Sequence, residues 1–232
     1  GCKVYKLSLS AGCTCPNRDG TLGARGCIFC SGSGEFAASG SASIPEQLEQ
    51  AKYILGKKAQ GAKFIAYFQD FTNTYGAVSH LEPLFLAAIE AGDVVALSIA
   101  TRPDCLPEDI LRMLSRLRAR KPVFVELGLQ TIHDNTAQYI RRGYPLSVFD
   151  DAVQKLHALD IEVIAHQILG LPGETAVMMS ETSRYLGSVH VDGVKLHLLH
   201  VLRGTDLARE YAEGRIQMLE LDTYIDILEQ CL

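Results

Sequence analysis

No apolar run in the 232-residue chain approaches the length of about 18 residues that a membrane-spanning helix needs. Basic charge is also short: 22 lysines and arginines face 27 aspartates and glutamates, for a formal net charge of −5. A general attraction to nucleic acid or to an anionic membrane is thereby excluded, and any polyanionic partner needs a local basic patch. The one dense basic run, Arg112, Arg116, Arg118, Arg120 and Lys121, falls on an expected helix and the turn after it, and reads as a solvated face. No basic-then-apolar leader stands before the first strand-like run, and the expectation is a cytoplasmic chain with no membrane partner. No linker rich in Pro, Gly or Ser divides it. Gly1 in place of Met, and an ending inside the helix-like "YIDILEQCL", raise the expectation that the natural chain extends further.

What is present suits one large core: 47% hydrophobic residues and 21% charged ones describe a globular chain. Six β-branched or aromatic runs, "KVYKLSL", "AKFIAYFQ", "VVALSIAT", "VFVELGLQT", "EVIAHQILGL" and "GVKLHLLHV", are each followed by a helical candidate. In the third helix Pro107, Glu108 and Asp109 form the start, and Leu106, Ile110, Leu114 and Leu117 recur at helical spacing. Strand then helix, six times without consecutive hairpins, implies parallel strands with right-handed crossovers. Six units suit an open doubly wound sheet or an incomplete barrel. Glu126, Gly128 and Gln130 share one face of the fourth strand, and Ile164, His166 and Ile168 one face of the fifth. Such polar groups can line a barrel cavity but would be buried against helices in an open sheet, so the expected fold is α/β, a partial (β/α)6 TIM-type barrel.

Four of the seven cysteines lie in "CTCPNRDGTLGARGCIFC". An odd number of cysteines in a chain with so large a core argues against a disulfide framework. The first strand ends near Leu9, which puts this loop at the strand's C-terminal end, where parallel α/β folds place their sites. Gly20, Gly23 and Gly26 let the loop fold Cys15 back toward the Cys27/Cys30 pair. Taken alone, the four thiols fit a closed tetrahedral zinc site as readily as an iron–sulfur cluster. Two features favour the cluster: C-x-C is a cramped bite for one zinc, and a structural zinc has no need of a barrel mouth. If Cys15, Cys27 and Cys30 hold three irons of a four-iron cube, the fourth stays open to a substrate or cofactor and Cys13 is a bystander. Residues 31–43, "SGSGEFAASGSAS", read as a lid over that mouth.

Together, "CPNRDGTLGARGCIFC", "AYFQDFT", "ATRPDCLP", "ELGLQTIHDNTAQYIRRG", "HQILGLPGE" and "GVKLHLLHVLRGT" resemble the radical S-adenosylmethionine (radical SAM) superfamily, most closely the bacterial branch related to the Elongator catalytic subunit. The resemblance covers nearly the whole chain and implies a single radical SAM core over residues 1–232 with a cluster loop at 13–43. It implies a [4Fe–4S] cluster whose open iron is chelated by S-adenosylmethionine (SAM), reductively cleaved to a 5′-deoxyadenosyl radical that takes hydrogen from an unknown substrate. RNA is the substrate suggested by the Elongator kinship. An external electron donor such as a flavodoxin or ferredoxin is implied with it.

By the same resemblance, Gln130 and Arg142 match SAM-contacting positions, Arg142 through the methionine carboxylate; the alternative is a helix-end cation. Gly170, Leu171 and Pro172 match the segment that packs on the adenine, while Glu174 reads as an ordinary acidic helix start. His166 falls where several relatives carry an acidic ribose contact. Gln69 stands where the superfamily often has a glycine pair for the SAM amine, and Ala100 where close relatives carry an acid. Nothing in the chain matches an acetyltransferase domain. Glu126, charged within an apolar strand, is expected to face the cavity with Lys195 or Arg102 as its partner. Lys195 and His197 share a face and are candidates for the cavity floor, whereas His197 and His200 point apart. No residue is assigned a catalytic proton or hydrogen transfer. The rival class is a zinc-stabilised barrel that binds a ligand or partner without redox chemistry.

Overall fold

A computed structural model describes residues 1–32 and 42–232. The expected lid therefore lies, over residues 33–41, outside the described residues. Six strands, β1 (Val4–Leu9), β2 (Lys63–Phe68), β3 (Val94–Thr101), β4 (Val123–Gln130), β5 (Glu162–Leu169) and β6 (Gly193–Leu198), form one parallel sheet in chain order. Helices α1 (Ile44–Leu55), α2 (Val78–Ile89), α3 (Glu108–Arg118), α4 (Asp134–Tyr139), α5 (Leu146–His157) and α6 (Ala176–Ser188) fill the crossovers, and α7 (Asp206–Ala212) and α8 (Leu221–Cys231) follow β6.

The sheet curls. Lys6 on β1 places its Nζ 2.5 Å from Glu126 Oε1 on β4, and Lys195 on β6 places its Nζ 2.7 Å from Oε2 of the same carboxylate. Neighbouring strands lie about 4.8 Å apart, so in a flat sheet β1 and β4 would stand about 14 Å apart. Only a half-closed barrel brings both edge strands to one side chain. β1 and β6 do not pair with each other, which leaves the (β/α)6 barrel partial.

Strand alternation then sorts the residues by chemistry. Phe64, Ala66 and Phe68 of β2 turn outward into the main core, where Phe68 meets Phe85 of α2 edge-on at 4.8 Å. Tyr67, between them, turns inward with Ser98, Glu126, His166 and Lys195. The third helix follows its pattern: Ile110, Leu111, Met113, Leu114 and Leu117 are buried, each contributing about 1.5–3 kcal/mol of transfer energy as an upper estimate. Its basic face is engaged at the surface, Arg112 with Glu108, Arg116 with Glu82 and Arg120 with Glu90.

Candidate functional site

The strand C-termini and the following loops surround a cavity of about 330 Å³. Cys15, Cys27 and Cys30 line it, and Cys13 does not. Cys13 packs against the main core instead, and burial pushes its thiol up to about 11. The loop is pinned by Asn17, 5% exposed, whose amide donates to the Arg141 carbonyl at 2.7 Å and approaches Cys27 Sγ at 3.6 Å. Gly26 and Ile28 add backbone bonds, to Asn17 O at 2.7 Å and Ile140 O at 3.3 Å. Gly20 and Gly26 take the left-handed conformation, while Gly23 does not. Burial pushes the Cys27 thiol up to about 11. Among the described residues no three cysteine, histidine or carboxylate side chains are grouped tightly enough to hold one metal ion. Thiolates sharing one zinc stand about 3.8 Å apart, given a bond of about 2.3 Å and tetrahedral angles.

Arg142, 1% exposed, lines the same cavity as the three thiols. Two left-handed residues beside it, Arg141 and Gly143, turn the chain sharply after α4 and send its side chain inward. A Cβ at Gly143 would lie 3.0 Å from Asn17 Oδ1, so the turn and the cysteine loop close on each other there. Arg142 donates to the carbonyls of Thr131 at 2.5 Å, Leu129 at 3.3 Å and Tyr144 at 3.1 Å, and its guanidinium lies 4.8 Å from the Tyr144 ring centre. Its Nη2 is buried without a partner, and among the described residues no carboxylate pairs with it. Burial lowers its pKa. The solvated helix-end cation is its neighbour Arg141, which pairs with Asp206. Arg142 is a buried charge with a free donor in a cavity wall, a costly arrangement unless something fills it.

The floor is finished in a different way. Glu126, 1% exposed, accepts from Lys6 and Ser98 at 2.5 Å each and from His166 and Lys195 at 2.7 Å each. Burial by itself would raise its pKa, but these four hydrogen bonds hold the carboxyl well below the usual range. Both ammonium groups sit against the Tyr67 ring, 4.6 and 4.5 Å from its centre, and Lys195 also reaches the Tyr67 hydroxyl at 3.2 Å. His166 and His197 meet at a tilt of 48° with ring centres 4.8 Å apart, and burial is the main reason both are pushed below the ordinary histidine value, His197 to about 4.

Gln69, Glu126, Gln130, Arg142 and His166 thus come together on one cavity with the three cysteines. Gly170, Leu171 and Pro172 are not among its lining residues. Leu171 packs into a side cluster with Ile28, Ile140 and Leu199, and Glu174 accepts from Thr131 Oγ1 at 2.5 Å. Of the two partners expected for Glu126, Lys195 is found and Arg102 is not: Arg102 lines the same cavity but forks onto Asp104, two residues along its own loop, at 2.8 and 2.7 Å. Tyr67 and Asn17 lie inside the segments "AYFQDFT" and "CPNRDGTLGARGCIFC", where neither stands out as a site residue, and Lys6 and Ser98 lie outside the six segments. Lys6 and Ser98 leave a trace only as polar residues inside strand runs.

The family model described as the radical SAM superfamily matches residues 17–186, and the radical SAM C-terminal domain model matches 191–232, a span that takes in β6. The protein YtqA of Bacillus subtilis is 43% identical over 230 residues, covering 98% of this chain and 71% of its own length. A tRNA uridine(34) acetyltransferase of Methanocaldococcus jannaschii is 28% identical over 137 residues, 58% of this chain and 25% of the relative. Among solved structures, Elp3 of Methanocaldococcus infernus superposes with a TM-score of 0.72 at 18% identity, over 99% of this chain. The chain spans about half the length of that structure, 54%.

Proposed function

The chain belongs to the radical SAM superfamily, and from that premise we propose that it is an enzyme carrying a [4Fe–4S] cluster on Cys15, Cys27 and Cys30 with SAM beside it. When bound and reduced by a donor such as a flavodoxin or ferredoxin, this pair supplies a 5′-deoxyadenosyl radical that takes a hydrogen atom from the substrate. One observation carries the reading: the buried Nη2 of Arg142 is free in the wall that the three thiols share.

The chain's own residues then have distinct tasks. Arg142 offers a guanidinium donor to the SAM carboxylate in a dry site, where a charge-assisted bond is strong. Tyr144 holds it in place through its ring and carbonyl. Asn17 ties the Cys27 arm to the same turn as Arg142. Gln69, Gln130 and His166 supply polar contacts along the SAM, and the backbone of Gly170, Leu171 and Pro172 stays in the proposal as its adenine-facing segment. Residues 1–232 act as one core in this reading, with the cluster loop at 13–43. A thiol-rich, reduction-dependent site suits the cytoplasm, and among the described residues no helix is long and apolar enough to cross a membrane. RNA is the proposed substrate class, from the tRNA-directed name of the archaeal relative.

Anaerobic reconstitution tests the reading. The loaded protein is expected to be brown, with about four irons and four sulfides per chain, and to release 5′-deoxyadenosine from SAM on reduction. Cys15→Ala is expected to lose both properties and Cys13→Ala neither. A colourless protein with one zinc, or equal loss in the two variants, overturns it.

A further inference from the structure

We infer that Lys6 and Lys195 form an oxyanion subsite at the cavity floor, and that the buried end of the substrate carries a carboxylate or a phosphate. The inference rests on the radical SAM reading of the cavity, and it adds what the substrate must look like.

Donors and acceptors at the floor do not balance. An ionised carboxylate offers about four lone-pair positions. Glu126 fills all of them, with Lys6 and Ser98 on Oε1 and His166 and Lys195 on Oε2. It can accept nothing further, from a substrate or from the protein. Each ammonium has three donors. Lys6 uses one of them on Glu126; Lys195 uses one on Glu126 and one on the Tyr67 hydroxyl. Donors are left over on both sides of the carboxylate.

Charge is unbalanced in the same sense. Two ammoniums face one carboxylate, and no second salt bridge to either lysine exists among the described residues. The two neighbouring histidines add no acid. Lys195 and Tyr67 line the cavity, Lys6 abuts the same ring and the same carboxylate from β1, and together they leave one surplus positive charge there. The Lys6 and Lys195 side chains remain 34% and 32% exposed, and Lys195 is the one a ligand in the cavity meets directly.

Position makes the subsite useful. Glu126 precedes the end of β4 at Gln130 by four residues, about 13 Å along a strand. An anion held there anchors the far end of a substrate whose middle lies between the floor and the cysteine mouth. Such an anchor at a distance from the reacting carbon fixes its orientation.

Isothermal titration of the cluster-loaded protein with SAM, at fixed ionic strength, against succinate and against inorganic phosphate tests the subsite. Lys195→Gln and Lys6→Gln keep a donor for Glu126 and remove the charge. The native protein is expected to bind at least one of the two probes, and each variant to bind it at least about tenfold more weakly. Binding of succinate alone assigns a carboxylate substrate, and of phosphate alone a phosphorylated one. On the native chain, the Tyr67 ring resonance is expected to shift with the same probe, which reads the subsite even where a variant does not fold. Binding of neither probe, equal binding by both Gln variants, or a motionless Tyr67 signal overturns the subsite. A brown protein that cleaves SAM yet shows none of these effects sinks the subsite alone; a colourless, inert one sinks the radical SAM reading itself.

Discussion

The mouth and the floor of the cavity are built on opposite principles. At the floor, one carboxylate is saturated by four donors drawn from β1, β3, β5 and β6, so its acceptors are complete in the protein by itself while ammonium donors are left over. At the mouth, three thiols and a guanidinium are held in place by a glycine turn and Asn17, yet the guanidinium keeps a buried donor without a partner. A satisfied network supports the fold; an unsatisfied one awaits a ligand. Deleting Glu126 at the floor and Arg142 at the mouth should therefore have different consequences, on stability for the saturated carboxylate and on ligand affinity for the guanidinium with a free donor.

The largest expected effect breaks the floor. Glu126→Leu strands two ammoniums that lost their common anion and should cost about 2–4 kcal/mol in denaturant unfolding, less than a fully buried pair because both lysines keep about a third of their side chains in water. A loss under about 1 kcal/mol would mean the floor does not hold the curled sheet together. At the mouth, Arg142→Met should weaken SAM binding roughly 30-fold or more, about 2 kcal/mol, while folding stability changes by at most about 1–2 kcal/mol. Unaltered SAM affinity in equilibrium dialysis would remove Arg142 from the cofactor's contacts. Asn17→Ala should cost about 1–2 kcal/mol and lower the iron content after reconstitution, since its bonds join loop and turn.

The smallest effect is a pH slope. Burial, then the neighbouring His166 and Lys195, lowers His197 from 6.5 to about 4 in the folded chain. The unfolded chain takes up that proton near pH 6.5 and the folded chain only near 4, so stability is full above 6.5 and falls as the pH drops through that window. His197→Gln should flatten the corresponding fall in Tm; an unchanged slope would place the titrating group elsewhere.

Much of the fold was legible because it depends on local pattern. The third strand, Val94–Thr101, was readable to the residue, and the others to within one to three, because β-branched runs bounded by glycine and proline signal strands wherever they pack. The cysteine loop was legible through its spacing, and Cys13 could be set apart by its cramped bite before its burial in the core was known. Arg142 was legible as a position and not as a buried, under-bonded group. Arg102 misled because its nearest acid in space, Asp104, is also near in sequence, and a short loop pair outcompetes a reach across the barrel. Asn17 left no signal: an asparagine after a proline in a loop is ordinary turn chemistry.

By itself, the amino-acid sequence determined six strand–helix units, the order of the strands' polar residues and the thiols at a strand's C-terminal end, since periodicity and spacing act over a few residues. Only the tertiary structure decided that Lys6 and Lys195 share one carboxylate, that Cys13 turns away, and that Arg142 keeps a donor free. Those outcomes depend on the curl of the sheet, which brings together groups as far as 128 positions apart, and no local pattern encodes that distance.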